Sequence, residues 1–142
     1  MKKNIKTHVV YATTNKKKIK EVGKHFDPHG ISLASLQDFL PVNLEIEDTG
    51  EALGENAICT SYAYARELSE CVKPGTQFLV ISEDTEKIVL RTIIAIVHVD
   101  QYGLISEPHV FEGSGTKDDK KVNKDHQTQA YERALPFIKM YL

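Results

Sequence analysis

The chain opens with a strand that runs directly into a helix, and this order restricts the fold more than any other feature. A short β-rich run, His8 to Ala12, stops at two threonines and an asparagine, residues that begin helices well. Ile19, Val22 and Phe26 then recur at helical spacing before a proline and a glycine end the pattern at residues 27–30. A strand followed by a helix is the repeating unit of α/β folds, so the sequence predicts that class.

Two segments in the middle of the chain extend this pattern. Asp48 and Glu51 form a capping box, which predicts a long helix that runs to about Glu70. Its inward stripe is expected to consist of Leu53, Ala57, Ser61, Ala65 and Leu68. Phe78 to Ile81 is a continuous apolar run, as expected for a central strand buried on both faces, and the prediction ends this strand at the polar residues 82–85.

The remaining elements make the predicted sheet mixed. Ile31 to Leu36 is a candidate second strand, and Ile88 to Val99 gives the strongest β signal in the chain. A turn at residues 100–103 leads into Leu104 to Phe111, which predicts a hairpin. A helix from about Gln127 follows a polar loop, and its inward residues are expected to be Ala130, Ala134, Leu135 and Ile138.

Length and composition indicate one globular domain. The chain has 142 residues without an internal repeat or linker, so residues 1–142 are predicted to form a single α/β domain, a mixed β-sheet flanked by helices. A net charge of −2 gives no general attraction to nucleic acid or to anionic membranes. The longest strongly apolar run is too short to span a bilayer and the start lacks the apolar core of a signal peptide, so a cytoplasmic protein is expected.

The cysteines give no sign of a metal centre or a disulfide. Cys59 and Cys71 have no CxxC spacing and no histidine at zinc-binding spacing, and both are predicted to be free thiols. A nucleophilic Cys59 would need an activating neighbour, and none is evident in the sequence around it.

The first candidate site is the run Thr13-Thr14-Asn15-Lys16-Lys17-Lys18, at the junction of strand and helix. Lysines in the first turn of a helix oppose its dipole, at a cost of a few tenths of a kcal/mol each. An anion such as a polyphosphate would offset that cost, held by backbone N–H groups, hydroxyls, Asn15 and one inward lysine. The alternative is a solvated lysine run beside an ordinary helix cap.

The second candidate site is acidic. Glu51 and Glu55 lie four residues apart on one helix face, whereas Glu83 and Asp84 follow the predicted central strand. Carboxylates that converge beside a phosphate site favour Mg²⁺, with a remaining carboxylate as the base for an attacking water. In the alternative, Glu51 only caps its helix and the other three carboxylates are exposed.

Together these segments resemble the inosine triphosphate pyrophosphatase (ITPase) family, whose members hydrolyse non-standard purine nucleoside triphosphates to monophosphate and pyrophosphate. Residues 10–18 are similar to the family's strand followed by T-G-N-x-x-K, with Thr14 in place of glycine. This match implies that Asn15 and Lys18 bind phosphate, with Thr13 and Thr14 beside them. The related inosine/xanthosine triphosphatases also begin with A-T-T-N-x-x-K, so this motif fits both families.

Two further motifs carry the resemblance. Residues 47–57 are similar to E-x-T-G-x-T-F-x-E-N-A, which implies that Glu55 binds the metal. Ser82 to Thr85 is similar to the family's acidic motif, which implies that Glu83 and Asp84 bind metal and that Asp84 is the base.

A weaker match lies near the end of the chain. Residues 123–127 stand where the family has K-N-x-x-S-H-R, which implies that His126 contacts the nucleotide, but Gln127 replaces the arginine. The chain also departs from the family's length. A helical segment after Asp84 and the base-recognition segment after Gly113 are missing, and Thr60 replaces an expected lysine.

The resemblance implies an ITPase-like fold that lacks some family segments, a homodimer, and Mg²⁺-dependent hydrolysis of a nucleoside triphosphate. Asp84 and Lys18 would be catalytic in this reaction. Two alternatives stay open: a protein that binds a nucleotide, a phosphorylated ligand or a protein partner without turnover, and a polyphosphate or nucleotide-sugar hydrolase with a relaxed pocket.

Overall fold

The computed structural model describes residues 5–40, 54–86, 90–114 and 125–142. In chain order, the elements are β1 (Lys6–Tyr11), α1 (Lys16–Gly23), β2 (Leu33–Ala34), α2 (Glu55–Ser69), β3 (Thr76–Glu86), β4 (Arg91–Val99), β5 (His109–Ser114) and α3 (Asp125–Lys139). Short 3-10 turns occupy Asp27–His29 and Leu36–Asp38.

The five strands form one mixed sheet in the order β2-β1-β3-β4-β5. β1 pairs in parallel with β2 and β3, whereas β3, β4 and β5 are antiparallel neighbours. The predicted mixed sheet is therefore confirmed. The pairing of β1 with β3 ends at Tyr11 opposite Ile81, but β3 continues to Glu86 paired with β4.

Helices cover both faces of the sheet, so the fold has three layers. One apolar cluster joins β1 and β3 to α1 and α3 through residues such as Val22, Leu79 and Tyr131. A second cluster joins the opposite face to α2 through residues such as Val80 and Leu68. Because successive residues of a strand point to opposite faces, β3 contributes to both clusters. Burying each of its large apolar side chains contributes about 1.5–3 kcal/mol.

The predicted helices agree closely with the observed ones. The α2 stripe of Ala57, Ser61, Ala65 and Leu68 is buried, as are the predicted inward residues of α3, Ala130, Ala134, Leu135 and Ile138. Cys59 and Cys71 are free thiols, as predicted. The capping box of Asp48 and Glu51, with Leu53, lies outside the described residues.

Two predicted strands have the wrong extent. The candidate strand Ile31 to Leu36 is reduced to Leu33–Ala34, because Ser35 and Asp38 form a capping box that starts a 3-10 turn. β5 begins at His109 rather than at Leu104, because the turn after β4 is longer. In that turn the side chain of Asp100 accepts hydrogen bonds from the backbone N–H groups of Tyr102 and Leu104.

The end of β3 also differs from the prediction, and this difference affects the acidic site. The acidic motif Ser82 to Thr85 lies inside β3 rather than after it, since its backbone pairs with residues 92–95 of β4. Within the parts of the chain that the structure describes, no helix is long and apolar enough to cross a membrane.

Candidate active site

The loop between β1 and α1 is fixed to the end of the sheet. The Ala12 N–H donates to the carbonyl oxygen of Ile81 at 2.8 Å, which holds the loop beside β3. Asn15 is the N-cap of α1, and its Oδ1 accepts a hydrogen bond from the Lys17 N–H at 3.0 Å. Thr13 Oγ1 in turn accepts from the Asn15 N–H. The predicted helix start after the two threonines and the asparagine is confirmed, and no acidic residue occupies the first turn of α1.

Lys18 is the lysine of the run that turns toward the sheet. Its Nζ lies 3.2 Å from Oε2 of Glu83, and 31% of its side chain is exposed. Lys16 and Lys17 are exposed. The structure thus brings one member of the predicted phosphate site into contact with one member of the predicted acidic site.

Glu83 is a buried carboxylate that accepts four hydrogen bonds. Its Oε1 accepts from the Tyr131 hydroxyl at 2.7 Å and from the Gln127 side-chain amide at 2.9 Å. Its Oε2 accepts from the Thr85 hydroxyl at 2.8 Å and from Lys18. We call these five residues the Glu83 cluster. Only 4% of the Glu83 side chain is exposed.

The Glu83 cluster keeps its carboxylate ionised. Burial alone would raise the pKa of Glu83, because a charge is less stable away from water. Hydrogen bonds from Tyr131, Gln127 and Thr85, together with the charge of Lys18, outweigh burial and place the pKa below its ordinary value. Glu83 is therefore a fixed negative charge inside the fold.

Two tyrosines extend the Glu83 cluster into the core. Tyr11 and Tyr131 are both buried, and burial followed by the nearby charge of Glu83 raises the pKa of Tyr11. The His25 ring stacks on Tyr131 at a centroid distance of 4.7 Å. Sequence reasoning missed both tyrosines, although a tyrosine within the apolar stripe of α3 is a signal for a buried hydroxyl that needs a partner.

Asp84 lies on the other face of β3. Its Oδ2 accepts a hydrogen bond from the Gly54 N–H at 2.8 Å. Gly54 is the N-cap of α2 and has a φ of +95°, and Glu55 is the first residue of that helix. Asp84 is therefore held at the N-terminus of α2, where the helix dipole favours a negative charge. Glu55 is the first residue at this same helix end.

The two neighbouring carboxylates of β3 therefore do not converge. Glu83 points toward α1 and α3, whereas Asp84 points toward α2. The family resemblance implies both of them, with Glu55, as ligands of one metal ion. Within the described residues, no three His, Cys, Asp or Glu side chains are grouped so that they could hold a metal.

His126 is buried at the start of α3 and bonded to β4. Its Nδ1 lies 2.7 Å from the hydroxyl of Thr92, a residue with no exposed surface. The Thr92 hydroxyl also lies 3.3 Å from that of Thr85, its cross-strand partner in the sheet. Sequence reasoning singled out His126 but not Thr92, which looks like an ordinary strand residue.

A cavity of about 780 Å³ lies on the α1 and α3 side of this region. Its lining includes two predicted substrate-binding residues, Lys18 and His126, together with Glu83, Thr85 and Gln127. His25 and Lys24, at the end of α1, also line it. The lining thus combines cationic and imidazole side chains with the ionised Glu83.

Comparisons with known proteins identify relatives of this chain. A sequence model of the Ham1 family matches residues 9–90, more than half of the chain, which include the three motifs around Lys18, Glu55 and Asp84. A dITP/XTP pyrophosphatase from Bacillus anthracis is 35% identical over 73 residues, which are 51% of this chain and 36% of that protein. A dITP/XTP pyrophosphatase from Listeria monocytogenes is 29% identical over 124 residues, or 86% of this chain and 60% of that protein.

The chain thus spans less than two thirds of the length of these relatives. Among solved structures, that of a HAM1 protein from Coxiella burnetii superimposes with a TM-score of 0.53 at 14% identity, covering 96% of this chain and 100% of the other. This likeness supports the same α/β fold.

Proposed function

This chain belongs to the Ham1 family, and from that premise we propose that it hydrolyses a nucleoside triphosphate to a monophosphate and pyrophosphate. The similar dITP/XTP pyrophosphatases carry out the chemistry that their name states, which supports the proposal. The observation that carries it is that β3, beyond its last residue paired with β1, holds Asp84 on one face and Glu83, bound to Lys18, on the other. Lys18 is the proposed phosphate-binding group, and Asp84 is the proposed group that activates water.

The triphosphate is proposed to bind at the loop between β1 and α1. Thr13, Thr14 and Asn15 present hydroxyl, amide and backbone groups there, and the N-terminus of α1 favours an anion. Lys18 is held beside Glu83, so its ammonium does not have to be ordered when the substrate binds. His126, which lines the same cavity, is proposed to contact the nucleoside part.

Asp84 and Glu55 are the residues proposed to hold Mg²⁺. Both offer hard carboxylate oxygens at the N-terminus of α2, and Mg²⁺ commonly takes one or two carboxylates with phosphate oxygens and waters. When bound, the metal would offset phosphate charge and lower the pKa of a coordinated water. Glu83 is left out of this set, because it faces the other side of the sheet and its oxygens already accept four hydrogen bonds.

Asp84 also serves as the proposed general base. Its Oδ2 accepts from the Gly54 N–H and would hold the metal through its second lone pair, which leaves Oδ1 to take the proton of the attacking water. A fixed carboxylate of this kind typically contributes about 100-fold or more to the rate.

The first test is release of pyrophosphate from ITP, XTP, dUTP and the four common triphosphates with Mg²⁺. We expect turnover of at least one of them, and a loss of about 100-fold or more in Asp84→Asn with an unchanged fold. Asp27→Asn, an exposed aspartate in the turn after α1, is the matched control and should keep full activity. Equal turnover in wild type and Asp84→Asn would refute the assignment of the base.

A second candidate function is binding without turnover. One observation favours it: Gln127, which replaces the family's arginine, donates its amide to Glu83 instead of offering a cation to a ligand. A folded protein that binds these nucleotides but releases no pyrophosphate from any of them would establish this candidate.

A further inference from the structure

A continuous path of hydroxyl contacts connects His126 to the Glu83 cluster. It runs from His126 Nδ1 to Thr92 Oγ1 at 2.7 Å, then to Thr85 Oγ1 at 3.3 Å, and then to Glu83 Oε2 at 2.8 Å. Lys18 binds the same carboxylate oxygen. The path therefore links Lys18 and His126, which both line the cavity, along one face of the sheet.

The chemistry of the groups gives this path a direction. Glu83 already accepts from an ammonium, an amide and a second hydroxyl, so it is also the acceptor toward Thr85, whose single hydroxyl proton is committed to that bond. Thr85 then has no proton to offer, so its 3.3 Å contact with Thr92 is a hydrogen bond only when Thr92 donates. Thr92 is left as an acceptor toward His126, which requires a proton on Nδ1.

We propose that Thr92 is a positioning residue that holds His126 in the Nδ1–H tautomer. Glu83 orients the hydroxyl of Thr85, and Thr85 in turn orients that of Thr92. The neutral imidazole then presents the lone pair of Nε2 to the cavity that it lines. A nucleotide in the cavity then meets a hydrogen-bond acceptor on His126 as well as the ammonium of Lys18. The group recognised by His126 is accordingly a donor of the nucleotide, an O–H or an N–H.

The identity of the ligand rests on the proposed function, but the tautomer does not. The first measurement is therefore nitrogen NMR of the imidazole rings in the full chain without nucleotide, at mildly alkaline pH where histidines are neutral. The His126 signals are assigned by comparison with His126→Gln. We expect the Nδ1–H tautomer in the wild type.

Substitutions at Thr92 supply the matched pair. Thr92→Val keeps the shape but removes the acceptor, so the signals should change to those of the Nε2–H tautomer. Thr92→Ser keeps a hydroxyl and should retain Nδ1–H. Thr85→Val interrupts the same path one step further on and should also release the tautomer, which provides a second variant if Thr92→Val does not fold. An Nε2–H tautomer in the wild type, or an Nδ1–H tautomer that persists in Thr92→Val, overturns the inference.

The second measurement separates positioning from a merely structural role. Thr92→Val should raise the KM for the triphosphate about tenfold with little change in kcat, because a hydrogen bond made in both the ground and transition states is lost. Thr92→Ser should restore KM. In the His126→Gln background, Thr92→Val should add no further effect, since both changes break one path.

The outcomes distinguish the two proposals. If no triphosphate is hydrolysed, the proposed function fails, whereas the tautomer experiment still decides the role of Thr92. If turnover is present and Thr92→Val lowers kcat equally in both backgrounds, the role of Thr92 in positioning His126 is refuted.

Discussion

At the end of the sheet away from the cavity, a second polar network ties the end of the chain to three strands. The His98 Nε2 and the Gln77 Oε1 lie 2.8 Å apart, and the Gln77 side-chain amide donates to the Thr7 hydroxyl at 2.8 Å. The Thr7 hydroxyl in turn donates to the carbonyl oxygen of Tyr141, whose ring packs against His98. The network connects β1, β3 and β4 to the residues after α3.

His98 should make stability depend on pH. Burial lowers its pKa, the charge of Asp100 partly opposes this, and His109 adds to the lowering. The unfolded chain therefore binds a proton at a higher pH than the folded chain. The contribution of His98 is fully present above its ordinary pKa of 6.5 and is lost as the pH falls through the folded value.

The test is urea unfolding of wild type and His98→Gln between neutral and mildly acidic pH. The wild type should lose stability faster on acidification, so that the difference between the two proteins shrinks as the pH falls. His8, whose pKa is also lowered by burial, is present in both proteins and cancels in the comparison. Parallel pH profiles would contradict the prediction.

Some residues of the candidate site could be identified from the sequence, whereas others could be identified only from their contacts in the fold. Lys18 and His126 could be identified because charged and aromatic polar side chains stand out beside helix starts, and both line the cavity. The role of Thr92 could not be predicted, since a threonine in a strand is ordinary and only the register opposite Thr85 gives it a function.

At the scale of elements, α3 sits against β5 through a glycine. A Cβ at Gly113 would lie 1.9 Å from the carbonyl oxygen of His126 and 2.7 Å from the backbone nitrogen of Ala130. These are backbone atoms, so the helix itself would have to move. The close approach of α3 to the sheet, and therefore the position of His126, depends on Gly113 having no side chain.

Gly113→Ala should therefore destabilise the fold by about 1–3 kcal/mol, as expected for overpacking. Gly23→Ala is the matched control, because Gly23 ends α1 with open space around it, and this change should be neutral or stabilise by about 0.5–1 kcal/mol. Urea unfolding curves of both variants provide the measurement. A Gly113→Ala protein that unfolds at the wild-type urea concentration would show that α3 is not seated in this way.

Elements with a periodic apolar stripe were predictable, whereas paired polar strands were not. α3 follows its 3.6-residue pattern, so its inward face was predicted correctly. The second half of β3 is polar on both faces, and only pairing with β4 makes it a strand. That pairing is a long-range contact, which local patterns do not contain.

At the scale of the whole molecule, the family resemblance predicts a homodimer. Light scattering during gel filtration should give twice the chain mass of 16.0 kDa. Val110 is an exposed apolar residue on β5, an edge strand of the described sheet. Val110→Lys should shift the mass toward that of the monomer if this edge forms the contact. A wild-type mass of one chain at all concentrations would contradict the predicted dimer.

The opposite orientation of Glu83 and Asp84 has a consequence for how such a protein can diverge. Because the side chains of a strand alternate, inserting or deleting one residue in β3 before Glu83 would exchange the faces of the two carboxylates at once. The acid bound to Lys18 would then turn to α2, and the acid bound to Gly54 would turn to the side of α1 and α3. Insertions and deletions are therefore tolerated in the loops of this chain, but not in β3 between Val80 and Asp84.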